Sequence, residues 1–168
     1  MDLAEFNSLP LARAEAALLD CCGSVRWAKS VAAQRPYTDV TALYHTADAV
    51  WRNLGRADWL EAFGRHPQIG EKAACGSEVS RQWSEGEQAD AHSAVENSIE
   101  QLAEGNRAYR EKFGYNFIVC ATGKSAEEML AILGERLHND PGRELHIAAE
   151  QQRLITRLRL GKLLAHLP

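Results

Sequence analysis

The chain has 168 residues, of which 45% are hydrophobic and 25% are charged, and its formal net charge is −4. A chain of this length can bury one hydrophobic core without disulfides or metals, so we expect one domain over residues 1–168. The mild negative charge offers no basic surface for nucleic acid, and a small metabolite is the better match.

The four cysteines form no C-x-x-C pair, and no apolar run is long enough to span a membrane. The N-terminus lacks the apolar core of a signal peptide. We therefore expect reduced thiols, no metal site, no membrane partner and a cytoplasmic location.

Helical periodicity runs through almost the whole chain. Cap residues, apolar spacing and stop signals predict helices over residues 8–23, 24–35, 38–55, 56–63, 77–114 with a break near Gly86, 125–140 and 141–164. Ser8 is the predicted N-cap of the first helix, and Ser125 with Glu128 forms a predicted capping box. The run "NFIVCATG" alone is typical of a β-strand, but one strand cannot make a sheet. The prediction is therefore an all-α bundle of about eight helices with one buried extended segment, residues 116–122.

The stretch "FGRHPQIG" places His66 directly before Pro67, at the end of a predicted helix. A proline moves the residue before it out of the α region, so His66 should be extended and lie on a stiffened loop. That is a suitable position for a general acid or base near neutral pH. The alternative is that the dipeptide only ends the helix.

The stretch "WSEGEQ" has the S-x-x-E spacing of a capping box, formed by Ser84 and Glu87. A helix N-terminus also offers free N–H groups to anions, so Glu87 and Gln88 could bind a ligand there. A purely structural cap remains the alternative.

The last helix carries an arginine close to its apolar face. With Ile155 at the centre of that face, Leu158 lies on it, Arg153 and Arg157 point toward water, and Arg159 intrudes on it. A guanidinium directed inward needs an acceptor, such as a ligand carboxylate or an acidic side chain. The alternative is an arginine that reaches out to solvent from the helix end.

These features occur together with longer motifs that resemble one family. The motifs are "CCGSVRW" at 21–27, "RPYTD" at 35–39, "DWLEAFGRHPQIG" at 58–70, "SEGEQ" at 84–88, "YREKFGYNFIVCATGKSAEEML" at 109–130 and "LRL" at 158–160. In this order they resemble the 2-oxo-4-hydroxy-4-carboxy-5-ureidoimidazoline (OHCU) decarboxylases, which form (S)-allantoin in urate degradation. The chain departs from that pattern at Asn116, where many relatives have proline, and at Lys124, where arginine is common.

The resemblance implies an all-α homodimer that decarboxylates OHCU without a cofactor or metal. It implies catalytic roles for His66, Glu87 and Arg159. It also implies substrate contacts from two stretches, whose residues are Pro67, Ser84, Glu85, Gly86, Gln88, Ile118, Val119, Cys120, Ala121 and Thr122. A catalytically inactive helical ligand-binding module of the same fold is the alternative, and such a module would tolerate the loss of His66.

Overall fold

The computed structural model describes residues 1–66 and 88–164, and for residues 88–96 and 99 it describes the helix backbone without the side chains. Within these residues the chain forms eight helices and no strand. They are α1 Leu3–Ser8, α2 Leu11–Cys22, α3 Val25–Ala32, α4 Val40–Arg52, α5 Arg56–Gly64, α6 Gln88–Phe113, α7 Ala126–Arg136 and α8 Pro141–Leu164. The prediction of an all-α protein of about eight helices is confirmed. No helix in the described part combines the length and hydropathy that a membrane span requires.

The chain divides into two compact units. The first contains Met1–Arg65 and Ala149–Pro168, and the second contains His66–Ala148. The division falls inside α8, so this helix contributes to both units. The prediction of one domain over residues 1–168 stays a prediction.

The N-terminus begins with a helix that the sequence reading missed. Asp2 caps α1, because its carboxylate accepts the Glu5 N–H at 2.8 Å while the Glu5 carboxylate accepts the Asp2 N–H at 2.9 Å. The prediction of Ser8 as the N-cap of the next helix was wrong. Ser8 ends α1, and its hydroxyl donates to the Glu5 carbonyl at 2.8 Å. Helix α2 starts after Pro10, whose ring presets a suitable φ without a side-chain cap.

Gly23 and Ser24 make the sharp connection between α2 and α3. Gly23 has φ +91°, and a Cβ there would lie 3.2 Å from the Arg65 side chain, so a larger residue would be both strained and crowded. Ser24 caps α3 through the Trp27 N–H at 3.3 Å, at the position where the sequence predicts this helix to start. Trp27 is completely buried and donates its indole N–H to the Ala47 carbonyl of α4 at 3.0 Å. These contacts hold α3 at the centre of the first unit, next to α2, α4 and α5.

In the second unit, α6 and α7 pack closely. A Cβ at Gly105 would lie 2.5 Å from a methyl carbon of Leu133, so the two helices approach each other at a residue without a side chain. The predicted capping box at the start of α7 is confirmed. The Ser125 hydroxyl accepts the Glu128 N–H at 3.2 Å, and the Glu128 carboxylate accepts the Ser125 N–H at 2.7 Å.

The connection between α6 and α7 contains the β-like run. It forms no strand, and Phe117, Ile118 and Val119 are only 3%, 1% and 6% exposed. The interpretation of this run as a connector rather than part of a sheet is confirmed, but its predicted burial holds only for Phe117–Val119, because Ala121 and Thr122 are exposed. The ring of Phe117 packs edge-on against the ring of Tyr109, with 5.3 Å between the ring centres.

Candidate active site

His66 lies two residues beyond the last residue of α5, as the proline signal predicts. The helix ends at Gly64, and the Arg65 N–H donates to the Ala62 carbonyl at 3.2 Å. His66 is half-buried. Its carbonyl accepts a hydrogen bond from the side-chain amide of Asn116 at 3.1 Å. The backbone of the predicted catalytic histidine is therefore joined to a residue that lies two positions before the segment predicted to contact substrate.

That segment, Ile118–Thr122, passes from the core to the surface. Ile118 and Val119 are buried, Cys120 is half-buried, and Ala121 and Thr122 are exposed. Two of its backbone carbonyls have protein donors. The Ile118 carbonyl accepts from Arg136 at 2.7 Å, and the Cys120 carbonyl accepts from Lys124 at 2.9 Å. The carbonyl of Ile118 is buried and needs such a partner, so the protein itself fixes the start of the segment.

The arginine that donates to the Ile118 carbonyl belongs to a buried ionic cluster. Arg136 pairs with Glu144 at 2.6 Å, and the two side chains are 7% and 0% exposed. The Arg136 guanidinium also reaches the hydroxyl of Tyr109 at 3.3 Å, and Asn139 donates to the second carboxylate oxygen of Glu144 at 2.7 Å. The cluster satisfies the buried charges from several sides, which is the condition under which such charges are tolerated. It joins α6, α7 and the first turns of α8 to the carbonyl of Ile118.

The hydroxyl of Tyr109 acts as a donor in this cluster. It hydrogen-bonds to Glu144. Burial, and then this hydrogen bond, raise the pKa of Tyr109 far above its ordinary value. The hydroxyl therefore keeps its proton at neutral pH.

Arg159 is half-buried on α8, and its guanidinium donates to the Cys21 carbonyl at 3.3 Å. The carbonyl is at the end of α2, where a cation is favourable. This agrees with the prediction of an arginine that does not simply project into water. The guanidinium has five N–H donors, so one bond to a carbonyl leaves others for a ligand group.

The buried face of α8 in the first unit differs from the predicted one. Its centre is Gln152, Thr156 and Leu160, one turn apart, rather than Ile155. Gln152 donates to the Cys22 carbonyl and to the Thr156 hydroxyl, both at 3.2 Å. Hydrogen bonding allows these polar residues to be buried, and apolar periodicity cannot detect that.

For this reason the sequence pattern predicted the wrong side of α8 for two side chains. Leu158 is 42% exposed, so its assignment to the apolar face was wrong. The side chain of Arg153 is only 13% exposed, because it pairs with Asp48 at 2.7 Å and with Glu150, so its assignment to the solvent side was also wrong. Arg157 is 49% exposed, as predicted.

Cys21, whose carbonyl accepts from Arg159, and its neighbour Cys22 both have thiols of low reactivity. Burial raises the pKa of the Cys22 thiol to about 12 and that of the Cys21 thiol to about 11. Because a raised thiol pKa means less thiolate at a given pH, both residues stay protonated at neutral pH. Both are free thiols, as is Cys120.

We expect native protein treated with iodoacetamide at pH 8 to react at Cys21 and Cys22 at least ~100-fold more slowly than protein unfolded in guanidinium. A thiol with a pKa near 12 is thiolate in only about one molecule in 10,000 at that pH. Time-resolved peptide mapping by mass spectrometry measures both rates. Equal rates in native and unfolded protein would contradict the burial described above.

The remaining predicted site residues lie outside the described residues. They are Pro67, Ser84, Glu85, Gly86 and Glu87, as well as the side chain of Gln88 at the start of α6. Of the residues that are described, His66 and Ile118–Thr122 belong to the second unit, and Arg159 belongs to the first. The joint role of these residues stays a prediction.

The sequence reading missed Arg136 and Asn116, and one signal could have found the first. On α7 the buried residues are Met129, Leu133 and Arg136, which follow the i, i+4, i+7 spacing of an apolar stripe. An arginine on such a stripe needs a buried partner, just as was inferred for Arg159. No local signal marks Asn116, because its partner is 50 residues away.

Among the described residues, no group of three or more His, Cys, Asp or Glu side chains is placed to hold a metal ion. A surface cleft in the first unit is lined by residues of α3, α4 and the turn that follows, including Arg26, Ser30, His45 and Asn53. It contains none of the predicted site residues.

Comparisons with known proteins bear on the same region. A family model described as OHCU decarboxylase matches residues 7–161. A crystal structure of an OHCU decarboxylase in the presence of (S)-allantoin is 40% identical, covers 88% of this chain and 96% of its own, and superposes with a TM-score of 0.70. A crystal structure of an (S)-allantoin synthase has a TM-score of 0.69 over 96% of this chain and 54% of its own, but at 20% identity it shows only a shared fold.

Curated relatives add the lengths of related proteins. The uric acid degradation bifunctional protein TTL of Arabidopsis thaliana is 42% identical over 146 residues, which is 85% of this chain and 45% of that protein. A 2-oxo-4-hydroxy-4-carboxy-5-ureidoimidazoline decarboxylase of Amia calva is 44% identical over 55 residues, which is 33% of this chain and 31% of that protein. The matches thus span less than half the length of these two relatives.

Proposed function

Because this chain belongs to the OHCU decarboxylase family, we propose that it catalyses the cofactor-free decarboxylation of OHCU to (S)-allantoin. The observation that carries the proposal is the extent of the family match. It runs over residues 7–161 and so includes His66, Ile118–Thr122 and Arg159. A decarboxylase of this kind acts in urate degradation.

The substrate supplies its own electron sink. Its carboxylate is on a ring carbon that also bears a hydroxyl, and the neighbouring ring carbon is a C=N carbon that bears the ureido group. As the bond to the carboxylate breaks, its electron pair forms a C=C bond, the C=N pair moves to nitrogen, and that nitrogen takes a proton. CO2 leaves, and an enol-like intermediate remains. Such a reaction needs no pyridoxal or thiamine group.

His66 handles proton movement on this intermediate. The hydroxyl must lose a proton, and the ureido-bearing carbon must gain one on a single face to give the S product. An imidazole is suited to such transfers near neutral pH. We assign His66 to the hydroxyl proton. The hydrogen bond from Asn116 to its carbonyl supports a fixed position for this residue.

The other site residues bind and orient. Glu87 and Gln88 hold the ureido and ring N–H groups of the substrate. Arg159 directs its guanidinium at the polar end of the substrate and stabilises developing negative charge. Backbone groups of Ile118–Thr122 contact the flat ring, with Pro67 and Ser84 to Gly86 beside it.

A coupled assay tests the proposed activity. Urate is oxidised immediately before use, the hydrolase of the following step is added, and the ultraviolet absorbance of OHCU is followed with and without this protein. Decay in proportion to protein concentration is the expected result. Unchanged decay, together with ligand binding detected by calorimetry, would favour the inactive binding module instead.

The Arg159→Lys enzyme should lose about 10- to 100-fold in kcat/KM, because an ammonium does not reproduce the planar fork of a guanidinium. Steady-state kinetics in the same assay measures the loss. Arg157→Lys is the matched control on the same helix, since Arg157 is 49% exposed and is assigned no role in the site. Equal activity of Arg159→Lys and wild type would remove Arg159 from the proposed site.

We further propose, from the family resemblance, that the chain acts as a single cytoplasmic domain and assembles as a homodimer. Light scattering coupled to size exclusion tests the assembly. The predicted mass is twice that of one chain, and a monomer mass at micromolar concentration would contradict it.

A further inference from the structure

Asn116 makes a long-range contact with the backbone of His66. Its side-chain amide donates to the His66 carbonyl at 3.1 Å, across 50 residues of chain. Asn116 is half-buried and lies two residues before Ile118. The bond joins the residue predicted to move the proton to the segment predicted to contact substrate.

A bond to this carbonyl constrains His66 more than a bond to most carbonyls would. The carbonyl belongs to the peptide bond between His66 and Pro67, and a peptide unit is planar. Holding the oxygen therefore restricts ψ of His66. The residue before a proline is already confined to extended backbone angles. The bond from Asn116 thus removes most of the freedom that His66 retains.

The donor is itself firmly held. Phe117, the next residue, is 3% exposed, and the Arg136 guanidinium lies 4.6 Å from the centre of its ring. The carbonyl of Ile118 accepts from Arg136 at 2.7 Å, and Arg136 is paired with the completely buried Glu144. A side chain next to such an anchor can act as a fixed point rather than as a flexible tether.

We propose that Asn116 is a positioning residue for His66, which sets the backbone from which the imidazole reaches the substrate. It acts through His66 and does not touch the reacting atoms. The inference rests on the proposed function in so far as it predicts a catalytic consequence.

The test compares Asn116→Ala with two further variants. Asn116→Gln keeps the amide donor on a longer arm. Asn53→Ala is the matched control, because Asn53 also donates its side-chain amide to a backbone carbonyl, that of Ala49 at 2.8 Å, but it lies just after the end of α4 in the other unit. Kinetic constants are measured in the coupled assay. The C–H signal of the His66 imidazole is recorded by NMR and assigned by its absence in His66→Ala, since the chain has six histidines.

We expect Asn116→Ala to lose at least tenfold in kcat with KM changed less than twofold, and Asn116→Gln to recover part of the loss. The His66 signal should move in Asn116→Ala while the other histidine signals stay in place, and Asn53→Ala should match wild type in both measurements. Wild-type kcat with an unmoved His66 signal would overturn the proposal, and so would a change confined to KM.

The NMR result also separates this inference from the proposed function. If wild-type protein shows no decarboxylation, the proposed function fails, and the His66 signal alone decides the role of Asn116. A signal that moves in Asn116→Ala and returns in Asn116→Gln would then still support positioning. A signal indifferent to both substitutions would refute it.

Discussion

The His66→Ala enzyme is expected to lose about 10²- to 10⁴-fold in kcat, the range that a positioned general acid or base contributes. The loss should fall on kcat rather than KM, because the imidazole acts on the enol-like intermediate and not on ground-state binding. Folding should be retained. His66 is half-buried beyond the end of α5, and the bond from Asn116 is made to its backbone, which the substitution keeps. Initial rates in the coupled assay and thermal unfolding followed by circular dichroism measure the two quantities.

His45→Ala is the matched control for this substitution. His45 is an exposed histidine on α4 of the first unit and is assigned no role in the site. Its substitution should leave both kcat and the unfolding temperature at the wild-type values. If His66→Ala retained more than a tenth of wild-type kcat, the assignment of proton transfer to His66 would be wrong.

The largest expected effect on stability belongs to Arg136. Replacing it by leucine should lower the free energy of unfolding by about 3–5 kcal/mol, because Glu144 would keep a buried charge without its ionic partner. The Glu144 side chain is completely buried, so water cannot replace the guanidinium. The carbonyl of Ile118 would also lose its donor. Urea unfolding followed by circular dichroism measures the change.

A double-mutant cycle separates this effect from simple loss of volume. The variant with both Arg136→Leu and Glu144→Leu should be more stable than the sum of the two single substitutions predicts, since it leaves no unpaired charge. Arg157→Leu is the exposed comparison, and its pair with Asp48 should contribute no more than about 1 kcal/mol. An Arg136→Leu loss as small as that of Arg157→Leu would show that the buried cluster does not stabilise the second unit.

The local signals of the sequence identify most of the helices. Gly23, Ser24 and Ser125 act on residues within one turn of themselves, so the sequence alone predicts their effects. Helix α1 also has a local signal, the capping box of Asp2 with Glu5, but its 6 residues are too few to show an apolar period.

The contacts that support the candidate site could not be predicted in the same way. Tyr109 and Glu144 are 35 residues apart, and Asn116 and His66 are 50 apart, so neither pair leaves a periodic trace. On α8 the buried position of Gln152 depends on a hydrogen bond to the Cys22 carbonyl, which forms only after α2 has packed nearby. His66 was identifiable because proline restricts the residue before it, which is again a local effect.

The optical activity of the allantoin formed tests the proposed function most directly. Urate is oxidised in the presence of the hydrolase and this protein, and the product is followed by circular dichroism. A decarboxylase that delivers the proton to one face predicts fast formation of (S)-allantoin, with His66→Ala reduced to the background. Slow formation of racemic allantoin, at the same rate with and without the wild-type protein, would contradict it.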